Sequence, residues 1–277
     1  MTAKRISDFL TRGITSLDVL NATVHSGGVT PIRAVPYGAH PRQSLDIYRQ
    51  PGTQAAPVVV FLHGGAWRTG SRQEYRFMGL ALARMGFVGV IADYRHFPDA
   101  PFPQFLHDAA AATAFARAHA AGWGGDPKRV VLFGHSAGAH MAAMLALDAR
   151  YLAGAGMDRR DIAGWVGLAG PYNFQPMRDL DAREVFGTAA DLPDSQPIAF
   201  ADRRTAPARL LHGADDTVVY PSNTITLAAR LRELGGSASE VLYPRTGHID
   251  ILLAFAPLFA RQGGIAADVA GFIRALP

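Results

Sequence analysis

Gly134-His135-Ser136-Ala137-Gly138 sets one serine between two glycines in a G-x-S-x-G pattern. A serine hydroxyl is a poor nucleophile until a base takes its proton, so the pattern matters only if a base and an orienting acid reach it. Arg129–Phe133 (RVVLF) before it reads as a buried strand, and Ala137–Leu147 after it as an Ala-rich helix. A strand, a sharp turn and a helix in that order are what a nucleophile elbow requires. Such a turn strains the serine backbone, relieves clashes through its glycines and lifts the hydroxyl above the sheet. The competing structural role for Ser136 is a helix N-cap in a glycine-rich turn.

Two further turns carry matching chemistry. His63-Gly64-Gly65-Ala66-Trp67 follows the apolar run PVVVFL, and its small residues leave backbone N–H groups free to converge on an oxyanion together with the Ala137 amide. His63 reads as a buried residue that shapes this turn, not as a proton carrier. Leu210-Leu211-His212-Gly213-Ala214-Asp215-Asp216 puts a carboxylate just past another strand, and Gly247-His248-Ile249 puts an imidazole just past the last one. His248 is the histidine that follows the acid at a strand end, which makes it the candidate base, and His212 reads as a hydrogen bonder within its turn. Chemistry alone does not separate Asp215 from Asp216.

These groups need a frame. Strands are expected at 32–37, 44–48, 57–62, 86–92, 129–133, 165–169, 208–212 and 238–243, with helices at 73–86, 104–121, 137–147, 224–234 and 264–275. Continuously apolar strands alternating with helices of ten or more residues imply a mostly parallel sheet of about eight strands, covered by helices on both faces. The first two strands, joined by a short turn, would add an antiparallel edge. Reactive groups belong at the carboxyl ends of such strands. Residues 29–277 read as one catalytic α/β domain, residues 1–28 as an N-terminal amphipathic helical segment and candidate lid, and residues 172–205 as a candidate cap insertion.

Composition excludes several other functions. The 277 residues contain no cysteine, which removes disulfides, thiolate metal sites and cysteine nucleophiles together. The formal charge is +4, but the basic residues are almost all arginines scattered among acids, with Lys4 and Lys128 the two lysines, so no basic track suited to nucleic acid exists. No apolar run reaches the roughly 18 residues of a membrane span. Asp8, Arg12 and Asp18 interrupt what could pass for a secretion signal, which predicts a cytoplasmic location. Metal-chelating and nucleotide-binding motifs are missing too, so neither metal nor cofactor is expected.

Several motifs in order, HGGAW (63–67), DYRHFPDAPFP (93–103), GGDPKRVVLFGHSAGAHMA (124–142), AGPYNF (169–174), HGADDTVV (212–219) and YPRTGHI (243–249), make the chain resemble the hormone-sensitive-lipase-like esterases. The resemblance extends to the related carboxylesterase and kynurenine-formamidase-like branch of the α/β-hydrolase fold. It implies Ser136 as nucleophile, His248 as base and, through G-x-x-D-x-x-V at 213–219, Asp216 as acid. It also implies an oxyanion hole of the Gly65, Ala66 and Ala137 amides. Ala66 departs from a glycine common among relatives, narrowing the site beside the acyl carbonyl. Trp67, Tyr172, Phe174 and Ile249 are the expected pocket residues. The expected substrate is a short-chain or aryl ester, with a homodimer as the candidate assembly. N-formylkynurenine hydrolysis by the same triad is the alternative activity, and a hydrolase-fold protein that only binds a ligand is the second.

Overall fold

A computed structural model describes residues 17, 21, 24–177, 179–256 and 264–277. Most of the expected N-terminal helical segment lies outside the described residues. An eight-stranded sheet organises the rest, with spatial order β1-β2-β4-β3-β5-β6-β7-β8. Its strands are β1 (Ile32–Pro36), β2 (Ser44–Tyr48), β3 (Ala56–Leu62), β4 (Val88–Ala92), β5 (Gly125–His135), β6 (Ile162–Leu168), β7 (Ala208–Gly213) and β8 (Ala238–Tyr243). The β1–β2 and β2–β4 pairs are antiparallel and the others parallel, as the short first turn and the later helical crossovers require.

The sheet is accompanied by helices α1 (Arg76–Arg84), α2 (Gln104–His119), α3 (Ala137–Leu147), α4 (Ala149–Gly154), α5 (Leu180–Phe186), α6 (Ser222–Glu233), α7 (Asp250–Leu253) and α8 (Ile265–Ala275), and by several short 3-10 helices. Alternate strand residues feed two cores. Val58, Val60 and Leu62 join α2 and α3 on one face, while Val59 and Phe61 join α1 and α8 on the other. Burial on both faces is why the central strands show unbroken apolar runs in place of alternation. Phe133 of β5 meets Phe61 edge-on at 5.1 Å, and Phe255 at 5.7 Å.

Where the elements differ from expectation, local backbone explains it. The strand expected from Gly86 starts at Val88, because Gly86 has φ +88° and ends α1. Strand β5 starts at Gly125, ahead of its apolar run, since Gly125 pairs with Ala56 across a register shift. The short helices α4, α5 and α7 are too brief for a helical period to show in the sequence.

The sheet order has one consequence for chemistry. The crossover after β3 runs one way to β4 and that after β5 runs the other way to β6, so a crevice opens at the carboxyl ends of these two neighbouring strands. The register Leu62↔Gly134 sets the His63–Trp67 turn directly beside the Ser136 turn.

Replacing Phe133, fully buried, with alanine should cost about 3–5 kcal/mol of folding stability. Urea unfolding should show the midpoint falling with an unchanged slope, and a loss below about 1 kcal/mol would contradict the packing described.

Candidate active site

Ser136 joins β5 to α3 with φ 54° and ψ −120°, a conformation that side-chain-bearing residues rarely adopt. Neighbours over-determine it. A Cβ on Gly134 would lie 2.1 Å from the Gly138 carbonyl oxygen, and a Cβ on Gly138 would lie 1.9 Å from that of Leu62. Only glycine fits either position. The Ser136 amide donates to Leu168 O at 2.9 Å, and its carbonyl accepts from the His140 amide, so the turn is also hydrogen-bonded to β6 and α3.

The Ser136 hydroxyl oxygen is 2.9 Å from His248 Nε2, and His248 Nδ1 is 2.7 Å from Asp216 Oδ2. A carboxylate only accepts, which assigns the proton to Nδ1 and leaves Nε2 to accept from the serine. Asp216 Oδ1 accepts from the Val218 and Val219 amides at 2.8 and 3.0 Å, and His212 Nε2 stands 3.2 Å from Oδ2. Burial alone would raise the Asp216 carboxyl. Donors on His212, His248 and Val218 outweigh that and hold it well below the ordinary carboxylate range. Asp215 is exposed and faces away; its amide donates to Thr246 O. The geometry thus separates two acids that chemistry left equal. His212 is the hydrogen bonder in its turn that the sequence suggested, with Nδ1 2.8 Å from Thr224 Oγ1 and Nε2 2.9 Å from Val219 O.

Gly65, Ala66 and Trp67 take three successive positive φ values of 125°, 52° and 59°. This turns the loop tightly beside Ser136, and Gly65, Ala66 and Ala137 all border the same cavity as Ser136 and His248. Ala137 is the first residue of α3, so its amide has no intrahelical acceptor. The loop is pinned from beneath: buried His63 donates from Nδ1 to Gly64 O at 2.8 Å, and the Tyr94 hydroxyl donates to His63 O at 3.0 Å. Arg72, bonded to both Asp46 and Asp93, ties the base of this loop to the antiparallel edge strands.

A cavity of about 640 Å³ opens above Ser136. Trp67, Phe174 and Ile249 line it. Tyr172 does not. It is fully buried, its ring lies against Gly167 and Gly170, and it meets Trp165 edge-on. Asn223 Oδ1 accepts from both the Tyr172 and Asn173 amides, which folds the Tyr172 ring back over β6 and leaves Phe174 to face the cavity. Ile251 is likewise core. Sequence reasoning missed Leu17, Met177, Val218 and Val219, which also line the cavity. It missed Asn223 and Gln196 as well, whose side chains hold the 172–174 backbone. Val218 and Val219 lie within the HGADDTVV motif, a usable signal; the others carry no local one.

An α/β hydrolase of the hormone-sensitive-lipase-like kind is what this sheet and crevice define. The chain belongs to the BD-FAE family, whose model matches residues 45–231. It is 32% identical over 267 residues to a probable isoprenylcysteine alpha-carbonyl methylesterase of Oryza sativa, covering 88% of this chain and 64% of the relative. It is 34% identical over 266 residues to esterase LipC of Mycobacterium tuberculosis, covering 87% and 64%. The chain therefore spans somewhat less than two thirds of the length of these relatives. Among solved structures, the thermostable metagenomic carboxylesterase EstE1 superposes with a TM-score of 0.80 at 18% identity, covering 98% of each chain. A bacterial heroin esterase gives 0.77 at 21% identity, covering 97% of this chain and 91% of that one. Among the described residues, no helix is long and apolar enough to cross a membrane.

Burial pushes three imidazoles near the site below their ordinary range, His96 and His135 to about 3 and His140 to about 4. Unfolding frees them to titrate near 6.5. Between about pH 6.5 and 4 the unfolded chain therefore binds more protons, and stability falls as pH falls. Urea midpoints should drop from pH 7 to pH 5, and His140→Asn should shrink that drop by the share of one imidazole; equal midpoints would contradict it.

Proposed function

We propose that the chain is a serine hydrolase that cleaves carboxylic esters through an acyl-enzyme. The observation that carries this reading is the hydrogen-bonded line from Ser136 Oγ through His248 to Asp216 at the carboxyl edge of the sheet. In the first half-reaction the serine oxygen attacks the ester carbonyl as its proton passes to His248 Nε2. Asp216 holds the ring in the matching tautomer and stabilises the imidazolium that forms. Charge moves onto the former carbonyl oxygen, where the Gly65, Ala66 and Ala137 amides are the donors. Collapse expels the alcohol, protonated by His248, and leaves the acyl group on Ser136. Water then repeats the sequence: His248 takes its proton, and the acid departs as the serine recovers its hydrogen.

Names of relatives support the ester class, since both a methylesterase and an esterase are among them. A cavity of about 640 Å³ walled by Trp67, Phe174 and Ile249 suits a short-chain or aryl ester. The Ala66 methyl narrows the space beside the acyl carbonyl. Residues 172–205 serve as the cap of this site, with Phe174 and Met177 supplying one wall. Its inner end is fastened to α3 through His140 Nε2, which donates to Ser195 O at 2.9 Å.

Ser136→Ala and His248→Ala should each lower kcat on p-nitrophenyl acetate by at least about 10³-fold while the protein remains folded. A fluorophosphonate probe should label the wild type and leave Ser136→Ala unlabelled. Full turnover by Ser136→Ala would end this reading.

A further inference from the structure

The base reaches the nucleophile across an awkward distance. Strand β8, which delivers His248, is the third strand away from β5, which delivers Ser136. At about 4.8 Å per strand spacing that is roughly 14 Å, so residues 244–248 must double back over the ends of β7 and β6. Ties to the acid loop hold the outer part of this return: Ala214 N donates to Tyr243 O at 2.8 Å, and Asp215 N to Thr246 O at 3.1 Å. At the inner end the loop lands on His135, the residue just before the nucleophile. His135 Nε2 lies 3.0 Å from the carbonyl oxygen of His248, and the two rings pack with centroids 4.9 Å apart.

The chemistry of that contact is fixed by its acceptor. A carbonyl oxygen cannot donate, so His135 carries its proton on Nε2 and gives it to His248 O. The ring is 2% exposed, enclosed by the oxyanion loop on its other side: a Cβ on Gly64 would come within 3.0 Å of His135 Nδ1. A closed circuit results. His135 bonds to the backbone of His248, the His248 ring bonds to the Ser136 hydroxyl, and Ser136 is covalently joined to His135. The circuit sets the serine–imidazole distance locally, whatever small movements the long base loop makes.

We propose that His135 is a positioning residue for the reaction, holding the His248 backbone so that its imidazole stays in reach of Ser136 through acylation and deacylation. Its N–H meets a backbone carbonyl, not the Ser136 hydroxyl or the His248 Nε2 that exchange the proton. Burial keeps it neutral over the working pH range, so it neither takes the proton that His248 must pass to the leaving group nor sets a second positive charge against the imidazolium. This inference rests on the nucleophile and base assigned above.

Three variants test it. His135→Phe keeps a ring of similar volume but has no donor, and His135→Gln restores an N–H at nearly the reach of Nε2. His135→Asn carries an amide too short to meet the His248 carbonyl. With p-nitrophenyl acetate, His135→Phe should lose about 10- to 100-fold in kcat with KM within about twofold, since misplacement by an ångström costs on this order. His135→Gln should recover kcat to within about fivefold of wild type, and His135→Asn should not. If His135→Phe fails to fold, the Gln and Asn pair, both polar, decides. Equal kcat in that pair, a loss confined to KM, or wild-type kcat in His135→Phe overturns the proposal. Ser136→Ala in the same assay separates the two readings: if it is inactive while His135→Phe turns over normally, only the positioning role falls.

Discussion

Two backbone carbonyls sit so close to residues 134 and 138 that neither position can carry a side chain. That crowding is the constraint on which the site depends. It exists because β3 and β5 pair in parallel with Leu62 opposite Gly134, bringing the end of one strand against the first turn of α3. The same approach forces Ser136 into its left-handed conformation and sets the Gly65–Trp67 loop against it. A strained serine of this kind persists only where its surroundings leave no lower alternative, and here β3, β6 and α3 all hold it.

Two kinds of reinforcement surround that turn. Beneath the Gly65–Trp67 loop lie an ion-pair network and a ring stack: Arg72 lies between Asp46 and Asp93, and His63 is stacked against Tyr94 with ring centroids 4.5 Å apart. Around Asp216 and His248 the ties are to backbone amides, imidazoles and a carbonyl. In the proposed reaction the loop holds its amides in place as charge develops, and Asp216 is the fixed charge that stabilises the protonated base.

The cavity draws its walls from segments far apart in the chain, including Leu17, Trp67, Phe174, Val218 and Ile249. Its shape is thus set where β3, β6, β7 and β8 end, and by how residues 172–205 are fastened over them. Asn223 and Gln196 do this by accepting backbone amides from 172, 173 and 174. The cavity wall at 172–174 is therefore held partly by amide side chains on other segments.

Much of this was legible in the sequence because the signals are local. Apolar runs covered on both faces reveal central strands, a glycine on each side of a serine reveals the elbow, and a histidine past the last strand reveals the candidate base. Short-range chemistry determines such features, so one chain suffices to read them. Long-range packing decided the rest. Asp216 differs from Asp215 only in which neighbour turns toward His248, and Tyr172 left the cavity because Asn223, 51 residues away, bends its backbone. His135 carries no sequence signal for contact with a carbonyl 113 residues distant; that contact exists only once β8 stands three strands from β5 and its loop has to return.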